Sequence, residues 1–158
     1  MPDASRILPS LYIGNAPSGA ADVEALRHDT DVTALLSLQT DADLEGRGLS
    51  WDLEAGWCEA QGIAAQRLPI EDWSAQAVIE HLDEAVKLLA RLLEEGQVVY
   101  LHCTAGVNRS PSIALGYLVQ VQRRPLAEGL DMVRRARPTA QPYPEVLEAL
   151  RGTEAGRL

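Results

Sequence analysis

The stretch Val98-Val99-Tyr100-Leu101-His102-Cys103-Thr104-Ala105-Gly106-Val107-Asn108-Arg109-Ser110-Pro111 decides how this chain folds. Its first four residues are wholly apolar, as expected of a central strand buried on both faces. Ser110 to Gln122 then reads as a helix, and Pro111 suits its first turn. A strand feeding a helix through a loop is the unit of a parallel sheet. In such sheets ligands bind beyond the carboxyl ends of the strands. The loop 102–110 lies at that end.

The chemistry available to the loop is specific. A cysteine between a strand and a helix feels the positive end of the helix dipole, and such settings favour the thiolate. The N–H groups of residues 104–109, that is Thr104, Ala105, Gly106, Val107, Asn108 and Arg109, can curl into an anion-binding nest. Gly106 allows the close approach and unusual backbone angles this needs. Arg109 can hold two phosphoryl oxygens through its planar fork. Ser110 can donate to the sulfur and ease its departure, and His102 precedes the nucleophile as a supporting residue. Cys-x5-Arg alone could arise from an ordinary buried cysteine and a helix-start arginine. The flanking His, Gly, Ser, strand and helix together argue against that.

Outward from the loop, strands and helices alternate. Ile7 to Gly14 reads as a short strand pair or a strand-turn broken at Pro9-Ser10, Asp22 to His28 as a short helix, Val32 to Leu38 as a buried strand, and Gln39 to Ser50 as loop. Trp51 to Gln61 reads as a helix stopped by Gly62, and Ile63 to Leu68 as a strand closed by Pro69. From Ala75 to Glu95, Val78, Ile79, Leu82, Ala85, Val86, Leu89, Leu92 and Leu93 recur at three- and four-residue spacing, the pattern of one apolar helix face. Ser74 and Gly96 mark its ends. Two more helices are expected near Leu126 to Arg135 and Pro144 to Leu150. The fold class is therefore α/β, a mostly parallel sheet flanked by helices, in one domain spanning 1–158.

These motifs resemble the protein tyrosine phosphatase superfamily, and the 158-residue length resembles its dual-specificity branch. Ile7-Leu8-Pro9-Ser10-Leu11-Tyr12-Ile13-Gly14 is similar to the opening segment of that branch, and Leu68-Pro69-Ile70-Glu71-Asp72 to its general-acid loop. The resemblance implies a three-layer phosphatase domain, a cysteinyl-phosphate intermediate on Cys103, and no metal or cofactor. It implies Asp72, 31 residues before Cys103, as the acid that protonates the leaving oxygen; Glu71 is the competing carboxylate.

For the substrate, the loop is informative by its lack of lysine, which sets it apart from phosphatases of inositol lipids. Leu38-Gln39-Thr40-Asp41-Ala42-Asp43-Leu44-Glu45 and Cys103-Thr104-Ala105-Gly106 are similar to the plant starch phosphatases, relatives of laforin. That likeness implies aromatic platforms for sugar rings, with Trp73, beside the acid, ahead of Trp51, Trp57 and Tyr143. Asn108 stands where that group has glycine and is similar to RNA 5′-triphosphatase loops reading Gly-x-Asn-Arg, enzymes that typically lack the acid. A shallow site would admit phosphotyrosine, phosphoserine and phosphothreonine. The expected partner is thus a phosphorylated protein or a phosphoglucan. A non-catalytic phospho-binding module is disfavoured because Cys103, Arg109 and Asp72 are all present. Arsenate reductases and rhodanese-like proteins share the Cys-x5-Arg spacing without the acid.

A net charge of −9 argues against nucleic acid and anionic membranes. No apolar run approaches the ~20 residues of a membrane span, and the N-terminus lacks a signal-peptide pattern. Two cysteines suit a reducing cytoplasm; Cys58 reads as structural, with a redox pairing to Cys103 as the alternative. Arg134, Arg135 and Arg137 read as a solvated helix end, with anion binding as the alternative.

Overall fold

The computed structural model describes residues 2–156. Five strands, β1 (Ala4–Leu8), β2 (Leu11–Gly14), β3 (Ala34–Ser37), β4 (Ala64–Arg67) and β5 (Val99–His102), form one sheet in the order β1-β2-β5-β3-β4. β1 and β2 run antiparallel; all other pairs are parallel. β5 lies between β2 and β3, with His102 in register with Gly14 on one side and Ser37 on the other. The strand expected to be central is central, because all four of its residues are buried.

Among the described residues seven helices complete the fold: α1 (Ala20–Asp29), α2 (Asp41–Glu45), α3 (Trp51–Ala60), α4 (Ala75–Glu94), α5 (Arg109–Gln120), α6 (Leu126–Ala136) and α7 (Pro144–Ala155). Strand side chains alternate between two cores, as period two requires. Leu11, Ile13, Leu36, Val99 and Leu101 face α4 to α7, whereas Tyr12, Leu35 and Tyr100 face α1 and α3. The result is three layers with the sheet in the middle.

α4 shows why sequence and fold agree. Val78, Leu82, Ala85, Val86, Leu89 and Leu92 are buried on one stripe, and the Ser74 hydroxyl accepts from the Ala77 N–H at 3.0 Å as N-cap. Each large aliphatic side chain so buried contributes roughly 1.5–3 kcal/mol. The same stripe packs on α5, where a Cβ at Gly116 would come within 2.9 Å of Leu82. α5 is buried along its whole length from Arg109 to Val119, so it is held rigidly behind the 103–108 loop.

The segment 39–50 departs from the expected loop. It contains α2, whose start is a reciprocal capping box: the Asp43 N–H donates to Thr40 Oγ1 and the Thr40 N–H donates to Asp43 Oδ2. Leu44 is buried and anchors the turn. Composition suggested loop, and local capping outweighs it. No helix among the described residues is long and apolar enough to cross a membrane.

Candidate active site

β5 ends at His102 and α5 begins at Arg109, and the six residues between them fold into a ring at the sheet's carboxyl edge. Each carbonyl from His102 to Asn108 receives a donor. Leu38 N–H donates to His102 at 2.9 Å, Ala16 N–H to Thr104 at 2.9 Å, Gln141 N–H to Val107 at 2.7 Å and Ser112 N–H to Asn108 at 3.0 Å. His102 Nδ1 donates to the Cys103 carbonyl at 2.8 Å, and Arg137 donates to Ala105 and Gly106 at 3.1 and 2.8 Å. Within one trans peptide the C=O and N–H point in opposite directions. Carbonyls held at the rim therefore turn the N–H groups of the ring inward, the nest expected for residues 104–109.

Gly106 has φ +71°, and a Cβ there would lie 2.6 Å from the Gly14 carbonyl carbon, so only glycine fits. Cys103 is buried at the bottom of the ring, with Ser110 Oγ 3.5 Å from its sulfur. Asn108 offers no side-chain cap to α5; its amide donates instead to the Gln141 carbonyl at 2.7 Å. That contact explains an asparagine here without any call on a ligand.

Arg109 is 1% exposed and anchored along one edge. Nη1 donates to Asp43 Oδ2 at 2.7 Å and to the Ile70 carbonyl at 2.9 Å. Nη2 donates to Thr104 Oγ1 at 3.1 Å and lies 3.2 Å from Asp72 Oδ2. Among the described residues the buried Nε has no acceptor. A buried charged donor left unpaired is costly, and the Nε–Nη2 edge is the one a bidentate oxyanion uses. Burial pushes the Asp43 carboxyl up, yet the hydrogen bonds from Arg109 and from the Thr40 N–H outweigh it and hold the group below the ordinary carboxylate value.

Asp72 sits in the turn after Ile70, and its Oδ1 accepts from the Trp73 N–H at 2.9 Å. Glu71 is exposed and lines no part of the cleft. Trp73 is 86% exposed and has φ +59°, a backbone region a tryptophan seldom enters. A cleft of about 410 Å³ joins Asp72, Trp73, Cys103, Arg109, Gln141 and Tyr143. Burial, and behind it the Asp72 carboxylate, raises the Tyr143 hydroxyl above its ordinary value. Among the described residues no cluster of three or more His, Cys, Asp or Glu could hold a metal ion.

The match to known proteins agrees with this geometry. The family described as "Dual specificity phosphatase, catalytic domain" matches residues 11–155. This chain belongs to that family. Mouse laforin is 33% identical over 124 residues, which cover 72% of this chain and 38% of laforin. Human dual specificity phosphatase 28 is 26% identical over 143 residues, 90% of this chain and 73% of that protein. Among solved structures, Tk-PTP in its active form superposes with a TM-score of 0.77 at 25% identity, covering 98% of this chain and 97% of that one. The chain thus spans well under half of laforin.

Of the residues expected at the site, Asp72, Trp73, Cys103 and Arg109 line one cleft, with Ser110 and His102 packed next to the loop; four neighbouring groups were not expected. Asp43 was hidden in the supposed loop, though Thr40-x-x-Asp43 is a capping signature. Glu54 is 1% exposed on α3 and sits 2.8 Å from His102 Nε2; a carboxylate four residues before the buried Cys58 was its only trace. Gln141 carried no signal. Arg137 corrects an expectation outright: Arg134 and Arg135 end α6 in solvent, but Arg137 is 4% exposed and bonds the loop. Trp51 and Trp57 pack against the α1–α3 core rather than the cleft. Cys58 lies in that same core, across the sheet from Cys103, and burial followed by the nearby Glu54 pushes its thiol up to about 12. The intervening sheet removes the proposed pairing of the two cysteines.

Proposed function

We propose that the chain hydrolyses phosphomonoesters through a cysteinyl-phosphate, with phosphotyrosine and phosphoserine or phosphothreonine proteins as substrates. The observation that carries this reading is the convergence of the Cys103 sulfur, the Arg109 guanidinium with its unpaired Nε, and the Asp72 carboxyl on one cleft. The Cys103 thiolate attacks phosphorus, the bond from phosphorus to the leaving oxygen breaks, and Asp72 gives that oxygen its proton. Water then attacks the phosphocysteine, the Asp72 carboxylate takes the water's proton, and the sulfur leaves as a thiolate that Ser110 stabilises. The inward N–H groups and Arg109 hold the equatorial oxygens in both steps. The reading takes the whole chain as one catalytic domain, needs no metal, and places it in the cytoplasm because a free thiol nucleophile needs a reducing compartment.

A second reading, phosphoglucan hydrolysis, is favoured by one feature. Trp73 presents an almost fully exposed indole beside the acid, in a strained conformation that core packing does not explain. Sugar rings stack on such surfaces. The RNA 5′-triphosphatase reading loses its support, because Asn108 is already bonded to Gln141. Phosphate release from phosphopeptides, amylopectin and 5′-triphosphorylated RNA at equal phosphate separates these. Release from phosphopeptides above the others, abolished by Cys103→Ser, supports the main reading. Wild-type rates in Cys103→Ser, or release only from amylopectin or RNA, refute it.

A further inference from the structure

Arg137 is the least expected residue of the site. It follows the last turn of α6, where a cation ordinarily points into water, yet it is 4% exposed and every nitrogen of its fork is engaged. Nε donates to Gly106 O at 2.8 Å and Nη2 to Ala105 O at 3.1 Å. Nη1 donates to Asp3 O at 2.8 Å and Ser5 Oγ at 3.1 Å, and it pairs with Asp3 Oδ2 at 3.4 Å. One planar group thus joins two consecutive carbonyls of the catalytic ring to the first strand of the sheet. It touches neither the nucleophile nor the cleft: the residues that line the cleft do not include it.

We infer that Arg137 is a positioning residue that sets the anion nest by holding the Ala105 and Gly106 carbonyls outward. The inference rests on the reading of loop 103–109 as the phosphate site. The peptides that carry these two carbonyls also carry the N–H groups of Gly106 and Val107. Gly106, at φ +71°, has no side chain to resist rotation of its flanking peptides. Rotation of either peptide would replace an inward N–H by a carbonyl oxygen, and a lone pair would face the phosphate. The remaining ring carbonyls are held by single backbone N–H groups or by His102. The two adjacent to glycine are held by one guanidinium, whose rigid spacing matches consecutive oxygens. Lysine could keep the charge next to Asp3 but could not span both carbonyls and β1.

The test uses the full chain. Tungstate binding by calorimetry is compared in Cys103→Ser and in Cys103→Ser/Arg137→Lys, with melting temperature measured on both, and turnover of an aryl phosphate in wild type and Arg137→Lys. Expected are a tungstate affinity at least tenfold weaker with the lysine and a turnover loss of about 10²-fold, in protein that remains folded. Arg137→Ala should then regain turnover when guanidinium ion is added at tens of millimolar. A merely structural role would lower the melting temperature and the amount of active protein while leaving tungstate affinity in the folded molecules unchanged; that result overturns the inference. If Arg137→Lys does not fold, guanidinium rescue of Arg137→Ala decides, and its absence overturns the inference too. If Cys103→Ser with Arg137 intact fails to bind tungstate, the phosphatase reading fails and the positioning role falls with it.

Discussion

Asp43→Asn removes a charge while keeping the size of the side chain. Its partner Arg109 is 1% exposed, and the pair is 2.7 Å apart with the carboxylate itself only 16% exposed. The hydrogen bond is charge-assisted at both ends, so its loss should cost about 1.5–3 kcal/mol. The asparagine oxygen can still accept one proton but cannot serve both Arg109 and the Thr40 N–H with full charge, as Asp43 Oδ2 does. For a chain of this size about 2 kcal/mol lowers Tm by roughly 4–8 °C. The pH dependence gives an independent sign. Asp43 is held below its ordinary value of 3.8, so its contribution is complete above that value and is lost as pH falls through the lower folded value. Wild type and variant should therefore differ at pH 7 and converge in acid below about pH 4. Thermal unfolding of both proteins at pH 7, 5 and 3 measures this, with aryl phosphate turnover at pH 7 expected to fall about tenfold, the equivalent of 1.4 kcal/mol. An unchanged Tm at pH 7, or a gap that stays constant down to pH 3, would refute the argument that the Asp43 charge holds Arg109 in place.

Three further outcomes are expected. Asp72→Asn should lower turnover of a poor leaving group on the order of 10²-fold, while Glu71→Gln, on an exposed side chain outside the cleft, should leave it near wild type; the reverse order in steady-state assays would move the acid to Glu71. Gly106→Ala should abolish phosphate binding, because its Cβ meets the Gly14 backbone at 2.6 Å, whereas Gly19→Ala, with nothing within 4 Å, serves as a neutral control in the same titration. Glu54→Gln replaces the buried carboxyl oxygen 2.8 Å from His102 Nε2 and should cost about 1–3 kcal/mol in denaturant unfolding; equal midpoints would show that the contact adds nothing to the fold.

What the sequence made legible were the features written locally. The apolar run at 98–101, the stripe of α4 and the alternating order of elements all follow from short-range periodicity, and the fold is built as they imply. Cys103 and Arg109 were legible as neighbours because their spacing sits between a recognisable strand and helix, and Asp72 was singled out through the family resemblance of the segment 68–72. The supporting groups were not. Asp43, Glu54, Arg137 and Gln141 reach the loop from positions 66, 48, 31 or 32, and 33 residues away along the chain, and only the folded sheet brings them there. An arginine after a helix end looks solvated by every local rule. Its burial depends on a gap between the loop and β1 that no periodicity reports.

That arrangement also bears on the order in which the protein folds. Among the groups that hold the ring's carbonyls are Ala16 and Leu38 from the first quarter of the chain and Arg137 and Gln141 from its last. Arg137 further meets Asp3, 134 residues away. Contacts of such separation close late, because the loop entropy must be met before they reward it. A chain still emerging during synthesis, or one with either end detached, can hold a sheet and helices yet lack an inward-facing ring. Catalytic competence should then appear as the last event of folding, and regain of activity during refolding should lag behind regain of helical signal.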